Sequence, residues 1–461
     1  MRLPRGVTLV LTVVLVPVAF AQTRPTPQPT APADTTFSMA LAGDSIITRR
    51  LSIYEEPPFL GLMDIIRRAD AAFTNLEMLF HDYETWPMHQ SGGTYMRADP
   101  SLVRDLVWAG FDLVSRANNH TGDYGVEGMR MTTKHVAEAG LVQAGVGESL
   151  EEAREAKFLE TARGRVALVS VASTFTDHSR ASSSRGDMPA RPGLNPLRFS
   201  TTYVVTKEQL ESLRAIAKEL RLGGGGESDQ FRMLGARFEV GDKPAVRTTP
   251  NEGDLKAIAA VVKNASRLAD YTIVTIHAHE RGETNFVPAD FLPVFAHAMI
   301  DAGASVLVGH GPHVLRGIEL YKGRPILYSL GDFIFENETL LRLPEENYDP
   351  YRLGPEAGVA DFNDARYDFD RRGFPAQREI WEAVVAVPEW REGSLADLTL
   401  HPITLGFGRR PAERGRPMLA NADLAKKIID DVARLSKPFG TTVRYENGVG
   451  RVVLAAPVSS R

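Results

Sequence analysis

The chain contains no cysteine. That excludes disulfides, thiolate metal sites and lipid attachment through cysteine, and it leaves His, Asp, Glu and Asn as the side chains able to ligate a metal. A strong charge of one sign is also missing. The formal net charge is -5 over 461 residues, so no basic field argues for an anionic membrane surface, and no nucleic-acid partner is expected. Beyond the N-terminus there is no apolar run long enough to span a hydrocarbon core of ~30 Å. Histidine is scarce, with 11 in the chain, so its placement carries information. What remains, 43% hydrophobic and 24% charged, is an ordinary composition with ample length for a core.

At the N-terminus, Arg2 and Arg5 precede an apolar run from Val7 to Phe20 that closes in Ala19-Phe20-Ala21, a small-x-small pattern before Gln22. This predicts a secretory signal peptide over 1–21 and hence an exported, periplasmic or extracellular protein. An uncleaved N-terminal membrane anchor is the other reading, for which the run is short. Residues 22–36, rich in Pro, Thr and Ala, read as an extended linker, and 37–461 as the folded domain.

Within that domain, short apolar runs alternate with helical periodicity, and each run ends in a Gly, Asn, His or acid. Phe37–Asp44 is a strand ending Gly43-Asp44. A helix over Pro58–Ala71 leads to a strand ending Asn75-Leu76-Glu77. A helix opened by Asp99-Pro100 stops at Gly110, and the strand Phe111–Ser115 delivers Asn118, Asn119 and His120. After the helix Val126–Ala139 come strands over Leu141–Val146 and Arg165–Ala172. Further on, the helix Asp254–Leu268 precedes the strand Tyr271–Ile276, which delivers His277, His279 and Glu280. The helix Pro288–Ala302 precedes the strand that delivers Gly309-His310-Gly311-Pro312-His313. A hairpin with arms Ile318–Tyr321 and Pro325–Leu330 then reaches Gly331-Asp332.

Two stretches break the regularity. Residues 173–250, rich in Ser, Arg and Gly with one helix over Lys207–Leu220, read as an insertion bordering the site: a mobile lid or a surface excursion. Leu343–Gly373 has no clear pattern. Glu382–Val387, Ser394–Phe407 and Thr442–Leu454 read as strands of a closing sheet, with a helix over Leu424–Leu435.

Strands alternating with helices describe a layered α/β fold in which strand-end loops share one edge. Asp44, Glu77, Asn119, His277, His310 and His313 are then neighbours. Six N and O donors suit one or two divalent ions, Mn, Zn, Fe or Mg, which would polarise a phosphoryl or acyl oxygen and activate water. His120 is the candidate acid for the leaving group. Each piece also has a structural reading. Gly43-Asp44, Asn118-Asn119-His120 and Gly331-Asp332 could be turns, Arg116 and Arg281 could be solvated charges rather than holders of an anionic substrate, and His81, His89, His135, His178, His297 and His401 lack a matching context.

The ordered set Leu41-Ala-Gly-Asp44, Thr74-Asn75-Leu-Glu77, Arg116-Ala-Asn118-Asn119-His120-x-x-Asp123-Tyr-Gly125, the His277 strand, Gly309-His-Gly-Pro-His313 and Tyr328-Ser-Leu-Gly-Asp332-Phe333 resembles the CapA family of bacterial capsule (poly-γ-glutamate) synthesis proteins. The resemblance implies a calcineurin-like metallophosphoesterase relative, a four-layer α-β-β-α sandwich with a dinuclear metal site. Carried over by position, it implies Asp44, Glu77, Asn119, His277, His310 and His313 as metal ligands and His120 as general acid; Asn75, Asn118, Asp123 and Asp332 are additional candidates from their place in the same clusters. The chain departs from the wider pattern at Ile46, where a ligand histidine is expected. It departs again in His277-Ala-His279-Glu280, which leaves His279 or Glu280 to take over a role, and in the His-x-x-His spacing of the last pair. The implied function is an exported metal-dependent hydrolase acting on an anionic polymer such as poly-γ-glutamate, with a membrane-bound synthase complex as the expected partner. The alternatives are a non-catalytic polymer- or synthase-binding accessory and an extracytoplasmic phosphoesterase of an unrelated pathway.

Overall fold

The computed structural model describes residues 36–226 and 228–454. The expected signal peptide, and the expected linker up to residue 35, lie outside the described residues. Two large sheets carry the mixed α/β architecture. In the ten-stranded sheet, Thr36–Ile46, Ala71–Leu76, Leu113–Ser115 and Val142–Ala144 run parallel in that order. On the other side of Thr36–Ile46 the antiparallel strands Glu382–Arg391 and Ser394–Thr404 and the hairpin Val443–Glu446/Val449–Val452 continue the sheet. The short strand Asp332–Phe335 pairs in parallel with the C-terminal end of Thr36–Ile46. In the six-stranded sheet the parallel strands Gly164–Ala172, Tyr271–His277, Val306–His310 and Arg324–Leu327 are flanked by the antiparallel Lys157–Thr161 and Ile318–Tyr321.

Because strand side chains alternate between faces, each strand feeds two apolar clusters. Phe37, Met39 and Leu41 join Val166, Leu168, Ile273, Val306 and Val308 in a cluster drawn from both sheets. Ala40 and Ala42 pack instead with Phe59, Leu62, Met63 and Ile66 of the helix Pro57–Arg68. Val169, Val171, Val274 and Ile276 pack with Ile258 and Val262 of the helix Glu252–Ala265 and Phe295 and Met299 of the helix Phe291–Asp301. Phe37 stacks on Tyr271 with ring centroids 4.2 Å apart, an aromatic contact between the two sheets.

Two stretches differ from the sequence reading. The closing strands extend the first sheet, and Thr442–Leu454 is a hairpin turning on Asn447 and Gly448, both at positive φ (51° and 88°). Within 173–250 the chain forms the helix Lys207–Glu219, closed by a Thr206/Gln209 capping box, and a five-stranded sheet. The strands Phe199–Val205, Ala236–Val240 and Ala245–Pro250 of that sheet are mostly half-buried or exposed, which dilutes the apolar alternation that would announce them. Among the described residues, no helix is long and apolar enough to cross a membrane.

Candidate metal centre

Parallel strands bring their C-terminal ends to one edge, and the register sets the donors side by side. Asp44 lies opposite both Asn75 and Asp332, and His277 lies opposite His310. The approach is close. A Cβ on Gly43 would sit 1.8 Å from the Gly331 carbonyl oxygen, so glycine is required there.

Asp44 is fully buried. Its Oδ2 accepts from the Gly311 amide at 2.7 Å and its Oδ1 from Asn75 Nδ2 at 2.7 Å, while His277 Nδ1 and His310 Nδ1 each lie 3.6 Å from Oδ1. Burial pushes this carboxyl up, but the His277 imidazole beside it, with His310 and His313, outweighs that and holds it below the usual carboxylate range. His277 Nδ1 is 3.0 Å from His310 Nδ1, and His277 Nε2 is 3.0 Å from His279 Nε2. Burial pushes all three imidazoles down, His310 to about 3 and His279 well below its ordinary value. Neutral rings packed this way concentrate lone pairs that a cation can accept.

His313 adopts φ 57°, unusual for a side chain of its size, and its Nδ1 lies 2.8 Å from Asp332 Oδ1. Burial raises Asp332 to about 6, and its charge in turn lifts His313 against the downward push of burial. Glu77, also fully buried, is raised well above its ordinary value by burial and then by the nearby charges of Asp44 and Asp332. Three donor groups have ligand atoms within 4.8 Å of one another: Asp44, His277 and His310; Glu77, His277 and His279; and Asp44, His313 and Asp332. Asp44 and His277 are each shared by two of them.

A fit test comes from the acceptors. Both carboxylate oxygens of Glu77, Oδ1 of Asn119 and Oδ2 of Asp332 are buried without a hydrogen-bond partner. Buried acceptors of this kind are costly unless something satisfies them, and a cation suits this set of oxygens and imidazole nitrogens. These residues could hold a metal ion.

The other candidates divide by their partners. Asn119 is anchored by its Nδ2, which donates to the Gly92 carbonyl at 3.1 Å. Asn75 and Asn118 brace the loops: Asn118 Nδ2 donates to the Leu76 carbonyl at 2.8 Å, and its Oδ1 accepts from the His120 amide at 3.1 Å. His120 Nδ1 lies 2.7 Å from Asp123 Oδ2, and its Nε2 is 3.6 Å from Glu77 Oε1. Glu280 is turned away, accepting from Ser173 Oγ at 2.7 Å and Thr174 Oγ1 at 2.9 Å. Arg281 is exposed, whereas Arg116, expected as a solvated charge or an anion holder, is buried and donates to Gln143 Oε1 at 2.8 Å. Its burial lowers the guanidinium to about 9.

Beside the centre is a cleft of about 310 Å³. Asn119, His120, His279 and His313 line it together with Ile46, Gly93, Thr94, Asn285, Arg366, Phe374 and Gln377, none of which the strand-end pattern picks out as a donor. Arg366 belongs to the unpatterned stretch Leu343–Gly373 and Phe374 follows directly on it, and no sequence signal marked either.

The fold and centre define a mixed α/β protein whose buried N and O donors meet at the strand ends of two sheets. The chain belongs to the family of bacterial capsule synthesis proteins PGA_cap, whose model matches residues 38–337. It is 41% identical over 435 residues to "Uncharacterized protein y4sH" of Sinorhizobium fredii (strain NBRC 101917 / NGR234), covering 91% of this chain and 93% of that protein. It is 25% identical over 308 residues to "Capsule biosynthesis protein CapA" of Bacillus anthracis, with 65% of this chain and 60% of that one covered. With "PGA biosynthesis protein CapA" of Bacillus subtilis (strain 168) it shares 26% identity over 322 residues, 68% and 66% of the two chains.

Proposed function

We propose that this chain is an exported, metal-dependent hydrolase of poly-γ-glutamate capsule synthesis or export, working on an anionic envelope polymer alongside a membrane-bound synthase. Its fold would be a four-layer α-β-β-α sandwich of the metallophosphatase type. Apolar clusters on both faces of each large sheet favour that layering. The observation that carries the proposal is the set of partnerless buried acceptors on Glu77, Asn119 and Asp332, with His120 Nε2 3.6 Å from Glu77 Oε1 and Asn119 and His120 lining one cleft.

In this reading Asp44, Glu77, Asn119, Asp332 and the imidazoles of His277, His310 and His313 hold the metal, and His279 takes a place left open by Ile46. A bound divalent ion, Mn, Zn, Fe or Mg, supplies Lewis-acid polarisation of the scissile phosphoryl or acyl oxygen and lowers the pKa of attacking water. His120 does the proton transfer. Asp123 accepts from Nδ1–H and fixes the ring, so that the doubly protonated imidazolium can give its Nε2 proton to the departing atom and is left with the Nδ1 proton.

The test compares metal content and hydrolysis of a phosphodiester and of poly-γ-glutamate for wild type, His310→Ala and His120→Ala. Metal lost in His310→Ala, with metal kept and turnover down about 10²- to 10⁴-fold in His120→Ala, supports the hydrolase. A wild-type protein that takes up no metal under any supply refutes it. The second reading, a non-catalytic polymer- or synthase-binding accessory, draws on Ile46, an apolar side chain lining the cleft where the resemblance implies a ligand histidine.

A further inference from the structure

The cleft beside the metal centre is not built only by the strand ends. One wall comes from chain beyond residue 337, where the family match stops: Arg366, Phe374, Gln377 and Ile380. Arg366 ends the helix Val359–Tyr367 and is half-buried. Its Nη1 donates to Thr94 Oγ1. Its guanidinium carbon lies 5.1 Å from the Tyr367 ring centroid, 5.6 Å from Phe362 and 5.7 Å from Phe374.

Arg366 is set apart by where it sits, in the cleft wall, and by its lack of an ion pair there. Among the described residues no carboxylate lies within ion-pair distance of Arg366. Two acids of the same region, Glu338 and Asp370, both pair with Arg414. A guanidinium taken partly out of water, stacked among aromatic faces and left without an anion, is a prepared oxyanion receptor. The aromatic rings hold it in one place, so little side-chain freedom is lost when an anion arrives. It shares the cleft with His120, His279 and His313.

We propose that Arg366 is the specificity-determining cation of this site, binding an oxyanion, carboxylate or phosphate, of the substrate held in the cleft. The inference rests on the substrate cleft assigned above. Arg366 touches substrate without taking part in proton transfer, so its effect falls on binding and on KM. The recognition element then lies beyond the residues that the family model matches, and relatives differing there would select other anions on the same centre.

The test uses the full chain loaded with Mn²⁺ and fluorescent probes of matched length: an oligo-γ-glutamate, a glycerol-phosphodiester oligomer, and the neutral amide and methyl-ester analogue of each. Wild type should prefer one anionic probe over its neutral analogue, and that arm identifies the anion. Arg366→Gln should weaken that probe by about tenfold to a hundredfold, with no effect on the neutral one or on metal content. Arg366→Lys should recover part of the loss. The proposal is overturned if Arg366→Gln keeps wild-type discrimination, or if wild type favours neither anion. Failure of the hydrolase reading looks different: no turnover of any probe by wild type, with the Arg366-dependent preference intact.

Discussion

Glu77→Gln should separate the cost of the empty centre from its use. In the metal-free protein, Glu77 presents two buried oxygens without partners, close to Asp44 and Asp332. Leaving a buried polar group unsatisfied costs about 1–3 kcal/mol, and more when it is charged. An amide of the same shape carries no charge against those neighbours, so the metal-free variant should gain about 1–3 kcal/mol. With an unfolding entropy of about 2.1 cal/mol/K per residue, a fold of this size shifts its Tm by about 1 °C per kcal/mol. Calorimetry in chelator should therefore find the variant melting about 1–3 °C above wild type. Divalent metal at about a thousandfold excess over Kd reverses the order, because it adds about 4.1 kcal/mol to a protein that binds it and nothing to one that does not. Equal melting of the two proteins in chelator, with equal upward shifts on adding Mn²⁺, would refute the reasoning.

Gly43→Ala forces a Cβ against the Gly331 carbonyl and should destabilise by about 3 kcal/mol or more, with metal stoichiometry falling as Asp332 is pushed from Asp44; denaturant unfolding and metal analysis read both. Asp123→Asn should leave metal content unchanged yet cut kcat more than KM, because the His120 ring loses the carboxylate that orients it. His81 is buried, its Nδ1 accepts from the Tyr83 amide at 3.1 Å, and its Nε2 has no partner. Burial, aided by the Arg97 charge, lowers it to about 4. A folded value below the unfolded one of about 6.5 means that stability is fully present above pH 6.5 and is lost as pH falls toward 4. His81→Gln should flatten Tm over that window.

The strand-end clusters were legible because each followed a short apolar run, and few histidines were available to mislead. Asp44, His277 and His310 do converge, though they are far apart in the chain. Arg116 misled because a charge beside a cluster says nothing about its own burial, which depends on the helix Gly125–Glu138 packed over it. The small sheet within 173–250 escaped notice because its strands are half exposed. The C-terminal hairpin had a signal in Asn447-Gly448, since Asn-Gly favours a two-residue turn with both residues at positive φ, and that pair outweighs the continuous β pattern around it. Arg366 had none, because its environment is made by chain contacts rather than by local spacing.

The donors of the centre are divided between two separately hydrogen-bonded sheets: Asp44, Glu77 and Asp332 come with one, His277, His279 and His310 with the other. A folding intermediate with a single sheet in place therefore carries carboxylates without imidazoles, or the reverse. Cation capture by the full donor set would then require both sheets to be in place. The ion would then act as a rivet, slowing hydrogen exchange far from its ligands, out to the Phe37–Tyr271 stack. Starving the protein of metal would loosen the seam between the sheets before it unravelled either one.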